Sequence, residues 1–484
     1  MNPIGKIILL ALMGFFATGL FLSLYGKSQP VTVVLPAAKS LRDAPVGPMP
    51  HQPVGMAGCL GAACHGGPAE RTLARQFDEH TWQSSGSCWA AADPHSTAYS
   101  LLTDQPLRPV RVTAQQIMER YAPGKKATEE VRCLACHTNP TLARPEFLRD
   151  AQADLFRREG VGCEACHGNA SGWINSHTTW NGDRSQVYAQ TGMTPLFDLG
   201  ERAMTCLGCH VGAPAEADRG LPVRDMNHDM IAAGHPRLNF DFAEYLRRLP
   251  RHWHEKDRPT NAPRILNPAK VWYVGRYAHA EAACRLLADR AQRSADDPQT
   301  PWPEFAEFDC ASCHHHLHIS DRTERSSDWR KSEQYLAGRR LGAPRWQLLW
   351  PVGTAPGLAL PQPGESPLAA VAQIMETAPR PRASVVHPMA IQAAQLLRNR
   401  RIALVATPDT DVQRTVQPYL ASGGKLLPDW DSAQQLYYGL AAFDRAEGDY
   451  SEQLLKTYQS ALAAFRNNDW NEVEKALEAI RKSK

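Results

Sequence analysis

The sequence predicts a mainly α-helical, loop-rich protein, and three observations lead there. Its 484 residues include 37 Pro, 18 His and 12 Cys, a composition of turns and metal-ligand side chains. Short helical patterns, such as "RPEFLRDAQADLFRREG" (144–160) and "YAHAEAACRLLADRAQ" (277–292), lie between the cysteines. Beyond residue 366 apolar residues recur at helical spacing with no cysteine among them. The length allows two or three domains and a sizeable core. A net charge of only +3 argues against a dedicated nucleic-acid binder.

In chain order, residues 7–25 form an uncharged apolar run of 19 residues between Lys6 and Lys27, long enough to span a bilayer as a helix. A cleaved secretory signal is the alternative, but no Ala-x-Ala site follows Leu24. Residues 1–27 are therefore expected to form an uncleaved anchor, with the positive "MNPIGK" head inside and the rest exported. Residues 28–54, rich in proline and without apolar periodicity, read as an extended tether. The cysteine-bearing domain is expected over 55–350, a Pro/Gly linker over 351–366 and a helical domain over 367–484. In the last, Leu436, Leu440 and Phe443, then Leu455, Tyr458, Leu462 and Phe465, then Val473, Leu477 and Ile480 make stripes for core packing or docking.

Four strict Cys-x-x-Cys-His motifs carry the chemistry: Cys133, Cys136, His137; Cys163, Cys166, His167; Cys206, Cys209, His210; and Cys310, Cys313, His314. Two thiols at this spacing meet the two vinyl groups of one porphyrin as thioethers, and the next histidine becomes the proximal iron ligand. Structural zinc would not require that histidine, and a disulfide gives no reason for it. The motifs therefore predict covalent haem c with its iron. "GCLGAACHGG" (58–67) keeps Cys59, Cys64 and His65 in register, with a longer inner loop that flexible residues can bulge out. It predicts a fifth haem; a short Cys59–Cys64 disulfide is the alternative. Five haems between Cys59 and His318 leave little protein for a conventional core, so the porphyrins must supply much of the interior in close mutual contact.

Each iron has a sixth position. His95 in "DPHSTAY", His177, and His228 and His235 in "NHDMIAAGHP" are the first candidates, followed by His279 and then His80. His315, His316 and His318 crowd the last motif, so no more than one would ligate, and His252 and His254 read as surface basics around Trp253. Cys88 and Cys284 stand outside all motifs. Cys284 reads as a buried thiol; Cys88 could be buried, a sulfur ligand, a substrate-facing thiol, or half of a disulfide with Cys284.

The order of a first cysteine motif, then "DPHSTAY", then "GVGCEACHG", then "CLGCH" with "NHDMIAAGHPRLNF", resembles the tetrahaem cytochrome family that takes electrons from hydroxylamine oxidoreductase, the cytochrome c-552/c-554-like family. The resemblance spans residues 59–318 and leaves out the anchor, tether and tail. It implies a mainly α-helical, loop-rich fold organised around stacked haems, two axial histidines on most irons, and electron transfer in the periplasm. It also implies that His65, His137, His167, His210 and His314 are proximal and His95 distal, with His177 and one of His228 or His235 as weaker carry-overs.

Three functions compete. The first is a periplasmic electron carrier tethered to the inner membrane, or secreted after signal cleavage, serving redox partner proteins or a quinol-linked membrane complex. The second is an oxidoreductase of a small nitrogen or sulfur species at one open haem. The third is a scaffold subunit whose helical tail docks a partner.

Overall fold

Helices and tight turns make up the regular structure; among the described residues there is no strand, only two isolated antiparallel bridges, Ala213 with Arg224 and Glu216 with Leu221. The computed structural model describes residues 51–68, 82–180, 185–238, 240–253, 266–308, 367–377 and 380–414, with isolated positions between 435 and 475. All fall within the unit Leu41–Lys484. The apolar run 7–25, most of the tether, the motif Cys310, Cys313, His314, the linker and most of the C-terminal stripes lie outside the described residues, as do His80, His254, His315, His316 and His318. Among the described residues no helix is long and apolar enough to cross a membrane.

The helices are short through the motif region: α1 Ser85–Ala92, α2 Ala114–Tyr121, α3 Val131–His137, α4 Ala151–Arg158, α5 Cys163–His167, α6 Ser185–Thr191, α7 Leu199–His210, α8 His228–Ala233 and α9 Phe242–Arg248. Side-chain caps start many of them. Thr113 and Gln116 form a reciprocal capping box at α2, while Asp150 accepts from Ala153 N at 2.7 Å and Asp198 from Glu201 N at 2.9 Å. Gly234, at φ 118°, ends α8.

Then follow α10 Pro268–Asp296, α11 Pro367–Thr377 and α12 Ala383–Ala406. α10 begins ideally, with Asn267 accepting from Ala269 N and Lys270 N and proline at the first helical position. It packs against α7, α9 and α12, so it is buried almost all round, with Trp272, Tyr273, Tyr277 and Leu287 at the centre of the larger core. Its buried charges are paired: Arg290 reaches Asp225 at 2.5 Å and Glu307 at 2.6 Å, and Arg401 of α12 reaches Glu281 at 2.8 Å. The motif region holds a smaller cluster around Tyr99, Leu102, Met118 and Leu134.

Candidate functional site: opposed histidines at the cysteine motifs

Three motifs end helices. α3 closes at His137, α5 at His167 and α7 at His210, and residues three apart on a helical turn share a face, so each cysteine pair emerges on one side. The stretched motif is instead a knot of turns. Cys64 N donates to Gly61 O (2.8 Å), His65 N to Cys59 O (3.2 Å) and Gly66 N to Gly61 O (3.1 Å). A Cβ on Gly66 would sit 2.0 Å from the Leu60 carbonyl oxygen, so the bulge closes only with glycine there. Cys59 is buried and Cys64 exposed, and both are free thiols rather than a disulfide.

Each of these four motif histidines has a second histidine from a distant part of the chain as a ring neighbour. Ring centroids lie 6.3 Å apart for His65 and His177, 6.4 Å for His137 and His235, 6.5 Å for His167 and His252, and 6.1 Å for His210 and His95. Two imidazoles bound on opposite sides of one first-row metal, at about 2 Å per bond plus about 1 Å from nitrogen to ring centre, give about 6 Å. The observed spacings match that sum.

Five of the eight outer nitrogens have described partners. His65 Nδ1 lies 2.8 Å from Ser85 Oγ and 3.0 Å from Trp82 O. His177, His137 and His235 donate from Nδ1 to the carbonyls of Ile174 (2.8 Å), Ala98 (3.0 Å) and Pro236 (2.8 Å). His95 donates to Asp93 Oδ1 at 2.8 Å. A proton fixed on Nδ1 leaves the Nε2 lone pair for a metal. Burial pushes His167 down to about 3 and His210 down to about 4, so both rings are neutral, ligand-ready imidazoles at neutral pH.

The donor set suits haem. Among the described residues no group of three or more His, Cys, Asp or Glu side chains is placed to hold a metal ion, whereas tetrahedral zinc needs four donors. Two opposed imidazoles leave four equatorial positions, which a porphyrin fills.

The motifs form a row. The Cys59 and Cys163 side chains meet, Cys166 interacts with Cys206 and Cys209, and Cys209 meets Cys136, so the order in space is first, third, fourth, second. Glu164, inside the third motif, ties that motif to the segment leading into the first: its carboxylate accepts from Val54 N and Gly55 N at 2.9 Å and from Ala170 N at 2.7 Å. Gly168, at φ 85°, turns the chain out of α5 where a Cβ would lie 2.2 Å from the Gly192 carbonyl oxygen.

Of the distal candidates, His95, His177 and His235 each face a motif histidine. His228 instead lies edge-on to Phe305, with ring centroids 5.7 Å apart, and its N–H donates to Glu304 Oε1 at 2.8 Å, just before the fifth motif. His279 is buried in α10. The surface reading of His252 is corrected: its Nδ1 is enclosed, burial pushes its pKa down, and its ring faces His167. The available signal was arithmetic, since every proximal histidine needs a partner. Cys284 is a free buried thiol, as its helical setting predicts, and of the alternatives for Cys88 the buried free thiol is the one found, with its Sγ 3.9 Å from Ser84 Oγ.

Residues 80–168 match the family described as cytochrome c554 and c-prime, a stretch that includes "DPHSTAY" and the second and third motifs. Neither curated proteins nor solved structures give a match.

Proposed function

We propose that this c-type cytochrome, cytochrome c554-like over residues 80–168 and holding haem c covalently, relays electrons between redox partners along a row of haems whose irons each take two axial histidines. The observation that carries this reading is the set of four opposed ring pairs at 6.1 to 6.5 Å. Bound haem supplies reversible one-electron exchange at its iron. The chain's part is to hold the imidazoles: Nδ1 partners fix the orientation of five of the rings, and the contacts between cysteines of neighbouring motifs would keep the attached porphyrins close together. Two histidines held at one site would let a bound haem change oxidation state without exchange of a protein ligand, which suits a relay.

The fifth centre would form on Cys310, Cys313 and His314, with His228 or His279 as its second ligand; the position of His228 beside Phe305 favours it. The apolar run 7–25 supports tethering to the periplasmic face of the inner membrane, where redox proteins or a quinol-linked complex would be the partners. A reductase of small nitrogen or sulfur species needs an iron with an open position. With four sites assigned two histidines each, that reading falls on the fifth motif alone.

Haem stoichiometry and low-temperature electron paramagnetic resonance of the ferric protein test the proposal together. Five haems per chain, all low-spin, are expected. A high-spin signal that shifts with nitric oxide, nitrite or hydroxylamine would overturn the carrier in favour of the reductase, and four haems would remove the stretched motif from the row.

A further inference from the structure

One of the Nδ1 partners is a side-chain carboxyl group. Asp93 Oδ1 accepts from His95 Nδ1 at 2.8 Å and from His95 N at 2.9 Å, and its side chain is 3% exposed. The geometry is fixed locally, because Asp93 caps the tight helical turn Pro94–Thr97 that carries the histidine. The partners described for His65, His137, His177 and His235 are a neutral hydroxyl and neutral carbonyls. Of the nearby cations, Arg224 pairs with Glu216 at 2.6 Å, while Arg108 donates to Pro94 O at 2.9 Å and its charge still opposes that of Asp93 at His95; Asp93 also acts on His252, but only at longer range and without a hydrogen bond.

A buried carboxylate accepting a ring N–H draws that proton toward itself and makes Nε2 a stronger donor. A stronger axial donor favours the ferric over the ferrous iron. We infer that Asp93 holds the iron between His95 and His210 at the lowest reduction potential of the four paired sites. The inference rests on reading those two histidines as axial ligands of one iron.

Its place in the row gives it a function. The fourth motif lies between the third and the second, through Cys166 on one side and Cys136 on the other. An electron crossing the row must reduce this iron while oxidising its neighbour, with no bond made or broken. With the least favourable site inside the row, electrons collect on both sides of it, and the first and third centres form one store separated from the second.

Potentiometric titration of the full-length holoprotein tests this, using Asp93→Asn, which keeps an acceptor oxygen without the charge, and His95→Ala. In Asp93→Asn the lowest-potential wave should rise by at least a tenfold change in oxidised-to-reduced ratio, about 59 mV for one electron. All haems should stay low-spin. In His95→Ala that same wave should leave the low-spin set as one high-spin haem appears. If His95→Ala gives the high-spin haem but Asp93→Asn moves no wave, the inference fails and the ligation stands. If His95→Ala stays wholly low-spin, the ligation reading fails and the inference with it. Should Asp93→Asn assemble poorly, the inference is still overturned if the wave lost in His95→Ala is not the lowest one of the unaltered protein.

Discussion

His252 precedes Trp253 in a stretch that looks like an exposed basic turn, yet its ring lies 6.5 Å from that of His167. Replacing it with alanine should turn one haem high-spin and leave the others low-spin, as read by electron paramagnetic resonance at unchanged haem content. The motif histidines stand out in the sequence because a covalent motif fixes their spacing from the two cysteines. Their partners were legible only as a pool, since the fold pairs His65 with His177 and His167 with His252 through space, and no local pattern marks such pairs. Asp93 is unmarked in the sequence for a related reason. Its backbone capping role is local, but its bond to a ring that faces His210 acquires meaning only once α7 is in place.

Among the elements, α10 depends on charges that the sequence did not assign. Arg401 of α12 and Glu281 are both 4% exposed at the side chain. Arg401→Met leaves that carboxylate buried without its main partner and should destabilise the holoprotein by about 3–5 kcal/mol, with Glu281→Gln in the same chain recovering part of the loss in chemical denaturation. Near the other end, burial disfavours the Asp225 charge, but Arg290 and Arg293 outweigh it and hold the carboxyl well below the usual carboxylate range. A depressed carboxylate contributes stability that is complete above the unfolded value of about 4 and is lost as pH falls below it. Denaturation midpoints of the holoprotein should therefore drop below about pH 4, and Asp225→Asn should flatten that drop. The helical pattern of 277–292 was legible from its apolar residues. Its burial on nearly every face was not, because a run containing Glu281, Asp289 and Arg290 looks half-solvated until Arg401, Asp225 and Glu307 are brought to it.

At the scale of the molecule, apolar burial is uneven. The large core gathers on α10 and α12 with α7 and α9, whereas the stretch bearing the first four motifs has a smaller cluster around Leu134 and Met118. Haem c must supply much of the interior of that stretch. Chain produced without haem attachment should therefore be cut readily by protease between residues 55 and 250, while α10 to α12 persist; mass spectrometry of the fragments reads this directly. The Pro-rich, cysteine-dense composition already pointed to such an interior.

The tilt of the paired rings carries a last consequence. His65 and His177 are only 20° from parallel, whereas the planes cross at 66° for His167 with His252, 81° for His95 with His210 and 87° for His137 with His235. Parallel imidazoles donate into the same iron d orbital and split it from its partner, while crossed imidazoles raise both alike and leave the unpaired electron its orbital magnetism. If each ring pair holds a haem as proposed, the pair at the stretched "CLGAACHGG" motif should therefore give an ordinary rhombic resonance, and the other three strongly anisotropic lines at low field. Each centre would then be an internal label, and the unusual motif could be followed by its own spectrum during reduction without altering a residue.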